Sequence, residues 1–153
     1  MSYTFRKTHW PPQAIDPAVK HLIERYYTLA DFNGPDAGDV LADEVFTETG
    51  TMIGPTQKFC GSEEIRTSLK GPVSPVISRR HEILRVYIGD DKGYDLMLIG
   101  TNMATLKSGY EIIGDFAARF LIDDESVRKG APRLKLSQVY TDTAPMAAAM
   151  KND

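Results

Sequence analysis

Two side chains in this sequence have the type and setting for proton transfer. His81 lies inside a long apolar-rich run, Val76-Ile77-Ser78-Arg79-Arg80-His81-Glu82-Ile83-Leu84-Arg85-Val86-Tyr87. Histidine, with an ordinary pKa of about 6.5, gives and takes protons near neutral pH. On a strand that lines a hollow it can do so on a bound molecule. His9 falls in an N-terminal arm without periodicity, and His21 falls on the polar side of the first helix. The competing reading of His81 is a core histidine hydrogen-bonded to a neighbour.

Asp31 is the second such residue. It ends the first helix and, at about 100° per residue, sits beside Tyr27 at the edge of the apolar stripe. There it meets the negative end of the helix dipole, which costs about 0.3–1 kcal/mol. An unfavourable position turned toward the core invites a functional reading. The alternative is that Asp31 simply opens the turn through Asn33-Gly34. A buried carboxylate facing a histidine fixes its tautomer and stabilises the imidazolium, which makes a general base of it. Asp115 is a further candidate acid in an otherwise apolar run, Ile112 to Phe120, and shares a strand face with Arg119, four residues on. This pair reads either as a pocket acid with its cation or as a surface ion pair.

The elements that must position these residues are legible as punctuation and period. Residues 1–15 read as an arm in which Trp10-Pro11-Pro12 is stiff and Trp10 packs on the domain or on a partner chain. A domain over 16–143 and a tail over 144–153 follow. Asp16 and Pro17 start a helix whose stripe is Val19, Leu22, Ile23, Tyr26, Tyr27 and Ala30, and Phe32-Asn33-Gly34-Pro35 ends it. A second helix is expected over 36–43 and a strand over 45–53. Ser62 with Glu63 and Glu64 caps a third helix to about Lys70, stopped by residues 71–75. Four long strands follow, over 76–88, 94–107, 110–122 and 133–142. A hairpin at Lys107-Ser108-Gly109 and a charged loop over 123–132 join them, and hairpins make this sheet antiparallel. The fold class is therefore α+β, with three N-terminal helices on one face of a curved sheet, mixed or mostly antiparallel, and a conical hollow between.

The composition narrows the function. The chain has 153 residues, 42% hydrophobic, with a net charge of -3, so a single globular domain is expected and a nucleic-acid surface is not. No apolar run approaches the roughly 20 residues that cross a bilayer. The N-terminus has no secretory h-region. The single cysteine, Cys60, fits a reducing, cytoplasmic setting and reads as a small core residue. The Asp90-Asp91 and Asp123-Asp124-Glu125 runs lack calcium-loop spacing. There is no phosphate loop, dinucleotide glycine fingerprint or His-Glu-x-x-His, so no cofactor and no metal are expected.

The pattern over about residues 15–142 resembles the NTF2-like, or SnoaL-like, superfamily of cone-shaped α+β proteins. The likeness rests on Tyr26-Tyr27-Thr28-Leu29-Ala30-Asp31, Phe46, Phe59-Cys60-Gly61-Ser62-Glu63-Glu64-Ile65 and Ser78-Arg79-Arg80-His81. Among its members, scytalone dehydratases are similar in having an Ala-Asp at the end of helix one and a histidine early in the first long strand. The resemblance implies Asp31 as orienting carboxylate and His81 as general acid/base. It implies dehydration, isomerisation or ring closure, with Tyr27, Asn102 and Asp115 positioning substrate oxygens. The second pocket histidine of the dehydratases has no counterpart in residues 94–107, where Asn102 is the neutral amide. Thr49 and Thr51 stand where tyrosines would, and Phe120 replaces a pocket asparagine. A hydrophobic oxygenated metabolite, polyketide- or terpenoid-type, fits that lining better than a small polar diol. A limonene epoxide hydrolase-like use of Asp115 and Arg119 to activate water stands as an alternative, as does a non-catalytic binding or dimerising module. The resemblance also implies a homodimer through the sheet.

Overall fold

The computed structural model describes residues 2–32, 34–70 and 75–151, so Asn33 and the stretch over 71–74 expected to end the third helix lie outside the described residues. Helix α1 spans Pro17–Phe32. Asp16 Oδ1 accepts the Ala18 N–H at 2.8 Å, satisfying one amide that a first helical turn leaves unpaired. Its expected stripe is buried at Val19, Leu22, Ile23, Tyr26 and Tyr27. The helix read over 36–43 is a single turn, α2 (Ala37–Val40), running into a π-helical turn over Leu41–Val45. Strand β1 (Phe46–Ile53) then pairs with a short strand, β2 (Lys58–Cys60). Helix α3 (Gly61–Thr67) starts directly after β2, with Cys60 rather than Ser62 at its cap; Glu64 reaches back to accept the Cys60 N–H at 2.6 Å.

The long strands are β3 (Val76–Ile88), β4 (Asp95–Leu106), β5 (Glu111–Ile122) and β6 (Leu134–Thr141). The loop read over 123–132 contains a short helix, α4 (Asp124–Arg128), capped by Asp123 through the Ser126 N–H at 2.8 Å. The tail forms α5 (Ala144–Met150). The six strands lie in the order β2-β1-β6-β5-β4-β3. The sheet is mixed and mostly antiparallel, within the expected fold class. Hairpin-type neighbours are antiparallel, but β6 inserts beside β1 and runs parallel to it, with Phe46 opposite Leu134 and Ile53 opposite Gln138. Cys60 is exposed, correcting its reading as a core residue: on the edge strand β2 alternation turns Phe59 toward the core and Cys60 away.

α1 lies across the sheet and packs on β3, and α3 packs on β1. The inner face buries Ile83 and Val86 of β3, Leu96 and Leu98 of β4, and Phe116, Ala118 and Phe120 of β5 against α1. The alternate residues Ile99, Met103 and Ile113 are exposed on the outer face. The arm covers the free edge of β3. His9 N–H donates to the Leu84 carbonyl at 2.9 Å, Val86 N–H donates to the His9 carbonyl at 3.2 Å, and Thr8 Oγ1 donates to the Ile83 carbonyl at 2.6 Å. Over residues 83–86 the edge is thereby closed to pairing with another chain. Trp10 packs on the domain itself, edge-on to Phe5 at 5.0 Å and beneath Lys20 Nζ at 4.2 Å.

Candidate active site

The last turn of α1 carries Asp31 to the outer edge of β3. Because β3 is an edge strand, alternate N–H groups point away from β4 and need another partner. Asp31 supplies one: its Oδ2 accepts the His81 main-chain N–H at 2.9 Å. The other oxygen, Oδ1, lies 2.5 Å from His81 Nδ1. Oδ2 also accepts the Tyr3 hydroxyl at 2.5 Å. The Asp31 side chain is 1% exposed and that of His81 14%. Three donors on one buried carboxylate more than offset the unfavourable helix end, since hydrogen bonds to a charged group contribute about 1.5–3 kcal/mol each.

With Nδ1 engaged by Asp31, Nε2 is the nitrogen left to meet a substrate, and no described side chain bonds it. The ring is held on two other sides. Tyr27 lies 5.0 Å away, centroid to centroid, and Phe116 meets it edge-on at 5.3 Å. Phe116 can reach this position because Gly100 opposes it on β4. A Cβ there would sit 3.0 Å from the Phe116 ring and 2.3 Å from the Glu82 carbonyl.

The register places Asn102 opposite His81, and Gly114 opposite Asn102, so the three share a row on the inner face. Asn102 Oδ1 and Tyr27 Oη are both buried without a hydrogen-bond partner among the described residues. Beside them is open space: a Cβ built on Gly114 meets nothing within 4 Å. Burial, reinforced by the nearby Tyr26 and Asp31, pushes the Tyr27 hydroxyl well above the ordinary tyrosine range and keeps it a donor. Burial and Asp31 likewise raise Tyr3, so its proton stays on the bond to the carboxylate. Phe120 is fully buried, stacked on Tyr27 at 5.9 Å; it fixes the tyrosine rather than facing the open space.

Asp115 is not part of this cluster. It faces Thr101 on the outer side of the sheet and is exposed, so its expected role in holding substrate is corrected. The Asp115/Arg119 water-activating pair does not form either. Arg119 Nε and Nη2 donate to Asp95 at 3.0 and 2.8 Å, and the guanidinium holds the Asp95 carboxyl below the usual carboxylate range. Residues four apart share a face, but which face is set by the register with β4. Thr49 is exposed and Thr51 half-buried on β1.

No local pattern marks Tyr3, which comes from an arm without periodicity; its ring is held between Phe32, edge-on at 6.5 Å, and Arg80, at 4.8 Å. Phe116 was findable, since it shares the period-two face of Phe120. No described helix is long and apolar enough to cross a membrane. Among the described residues no three His, Cys, Asp or Glu side chains gather as a metal site.

No protein-family model matches the chain, and no curated protein does either. Solved structures do resemble it. An NTF2-like protein of unknown function from Burkholderia pseudomallei K96243 is 14% identical, with 84% of this chain and 94% of that one covered and a TM-score of 0.64. A protein provisionally named a SnoaL-like polyketide cyclase, from Jannaschia sp. CCS1, is 13% identical over 91% of this chain and 95% of that one, at 0.64. One provisionally named a scytalone dehydratase, from Novosphingobium aromaticivorans DSM 12444, is 14% identical over 82% of each, at 0.60. The likeness is one of architecture, carried by helices laid across a curved mixed sheet, and by that architecture this chain has the NTF2-like fold.

Proposed function

We propose that the chain is an acid/base enzyme, a dehydratase, isomerase or cyclase, acting on a hydrophobic oxygenated metabolite of polyketide or terpenoid type, without a cofactor. The observation that carries this reading is the double hold of Asp31 on His81, through ring and main chain together. The ring is thereby fixed in one tautomer with Nε2 presented, and the imidazolium formed on protonation has a carboxylate 2.5 Å from Nδ1.

In a dehydration, Nε2 takes the proton from a carbon beside a carbonyl. The C–H electron pair becomes the new double bond, the C–O bond breaks, and the imidazolium returns its proton to the departing hydroxide as water. In an isomerisation the same proton is returned to another carbon. Tyr27 donates to a substrate oxygen and Asn102 Oδ1 accepts from a substrate hydroxyl, which gives their unpaired polar atoms partners. The apolar surroundings of the His81 ring, Phe116 among them, suit a hydrophobic skeleton. A dehydratase and a cyclase are among the names carried by solved structures of this fold.

The test is a thermal-shift screen of polyketide- and terpenoid-type ketones and alcohols, followed by mass spectrometry of the stabilising compounds for turnover. Wild-type protein converts at least one of them. His81→Gln binds it and converts it about 10²–10⁴-fold more slowly. Turnover undiminished in His81→Gln removes the acid/base assignment. Ligands that bind but are never converted by wild-type protein make the chain a binding module.

The same reading places a homodimer on the outer sheet face, where Ile99, Met103, Ile113 and Tyr140 are exposed. Sedimentation gives a dimer for wild-type protein and a monomer for Ile113→Arg. A wild-type monomer rejects it.

A further inference from the structure

Arg79 stands two residues before His81 on β3 and so shares its inward side. The register sets it opposite Ala104, which is buried, and Ala104 opposite Ile112. This row lies directly beside the row of His81, Asn102 and Gly114. The diagonal from Arg79 to Asn102, about 7–8 Å in such a ladder, is within the length of an arginine side chain.

The state of this arginine differs from that of its paired counterparts, and from that of Arg6, Arg85 and Arg128, which are exposed. Arg66 meets Asp39 and Asp43, Arg80 meets Glu82, and Arg119 meets Asp95. Arg79 makes no ion pair or hydrogen bond with any described residue, and its Nε is buried without a partner. A guanidinium cannot shed its charge at neutral pH. A buried, unpaired donor on a permanent cation is costly, and such a group persists in a fold when something outside the chain completes it. Asn102 repeats the pattern one row away, with a buried amide oxygen unpaired, and the space over Gly114 is open. The buried, unpaired Arg79 Nε and Asn102 Oδ1 thus stand on adjacent rows of the face that carries the imidazole, beside the open space over Gly114.

We propose that Arg79 and Asn102 form a subsite for a carboxylate, so that the oxygenated metabolite taken by this cone carries an acid group in addition to its ketone or hydroxyl. The planar guanidinium meets the two carboxylate oxygens, and the Asn102 amide, which can turn end for end, adds Nδ2 as a donor. The skeleton extends over Gly114 toward His81 Nε2. This deepens the proposed function by naming the substrate class, but the subsite is a matter of binding and does not require that His81 transfer a proton.

The experiment compares 2-naphthoate with 2-naphthamide, a pair of equal shape and unequal charge, by calorimetric titration against full-length protein. Wild-type protein binds the acid roughly 10- to 100-fold more tightly than the amide, as a charge-assisted pair in a dry site should give. Arg79→Met loses that preference and Arg79→Lys keeps part of it. His81→Gln retains it, which separates this subsite from the acid/base assignment. Equal binding of acid and amide by wild-type protein overturns the proposal. So does a preference that survives in Arg79→Met, or failure of wild-type protein to bind either compound at millimolar concentration. Melting temperature controls for folding. Removing an unsatisfied cation leaves ligand-free Arg79→Met as stable as wild type or more so, whereas a marked drop marks Arg79 as a structural residue and rejects the subsite.

Discussion

Asp31 grips His81 at two points, Oδ1 at the ring nitrogen Nδ1 at 2.5 Å and Oδ2 at the main-chain N–H at 2.9 Å. A carboxylate that binds only a ring leaves it free to swing with its backbone. One that binds backbone and ring together fixes the direction in which the opposite nitrogen points.

Asp31→Asn replaces an acceptor with a group that is half donor. At least one of the His81 N–H, the ring N–H and the Tyr3 hydroxyl then faces an amide N–H. Turnover is expected to fall about 10²–10⁴-fold, and stability by about 1–3 kcal/mol for the unmet buried donor. Initial rates and denaturant titration measure the two; an unchanged rate would remove Asp31 from the machinery.

Tyr3→Phe tests the arm's contribution, and its pH dependence has a definite sign. Tyr3 holds its proton to a higher pH when folded than the ordinary tyrosine value of about 10. Its contribution is therefore complete below that pH and is lost as pH rises through the folded value. Wild type should exceed Tyr3→Phe by about 1.5–3 kcal/mol at pH 7, with the gap closing under alkaline conditions. A gap that widens with pH contradicts the Tyr3–Asp31 bond.

Gly114→Leu fills the open space beside Asn102. Ligand binding is expected to vanish while the melting temperature holds or rises, because a strand-interior glycine costs about 0.5–1 kcal/mol relative to alanine. Binding that persists in this variant places the ligand elsewhere.

On the outer face, Asp115→Asn should leave turnover unchanged and stability within about 0.5 kcal/mol. Asp95→Asn, which breaks the partly exposed pair with Arg119, should lose about 0.2–1 kcal/mol at neutral pH. Because Arg119 depresses the folded-state titration of Asp95, that contribution is present above the ordinary aspartate value of about 4 and disappears as pH falls through the lower folded one. A larger catalytic effect from Asp115 than from Asp31 would reverse the choice of face.

Legibility in the sequence followed how local each signal was. α1 was readable because Asp16, Pro17 and the stripe from Val19 to Tyr27 specify it from within. The β4–β5 hairpin was readable from Gly109, which adopts φ +85°. The parallel pairing of β1 with β6 was not, since residues as distant as Phe46 and Leu134 settle it. The side taken by Asp115 depended on its register with Thr101, which period two leaves open. Tyr3 lay beyond reach for the same reason: its partners, Asp31 and Arg80, come from a helix end and a strand far along the chain.

That convergence bears on how the protein loses activity. The proton-handling centre is stitched from three stretches of chain at a rim, and one of them, the arm, is terminal, tied to β3 by the bonds of Thr8 and His9 and packed on the core by Phe5. Fraying of the arm should therefore silence the molecule in mild denaturant, before the six strands come apart. Function here should prove more fragile than the architecture that houses it.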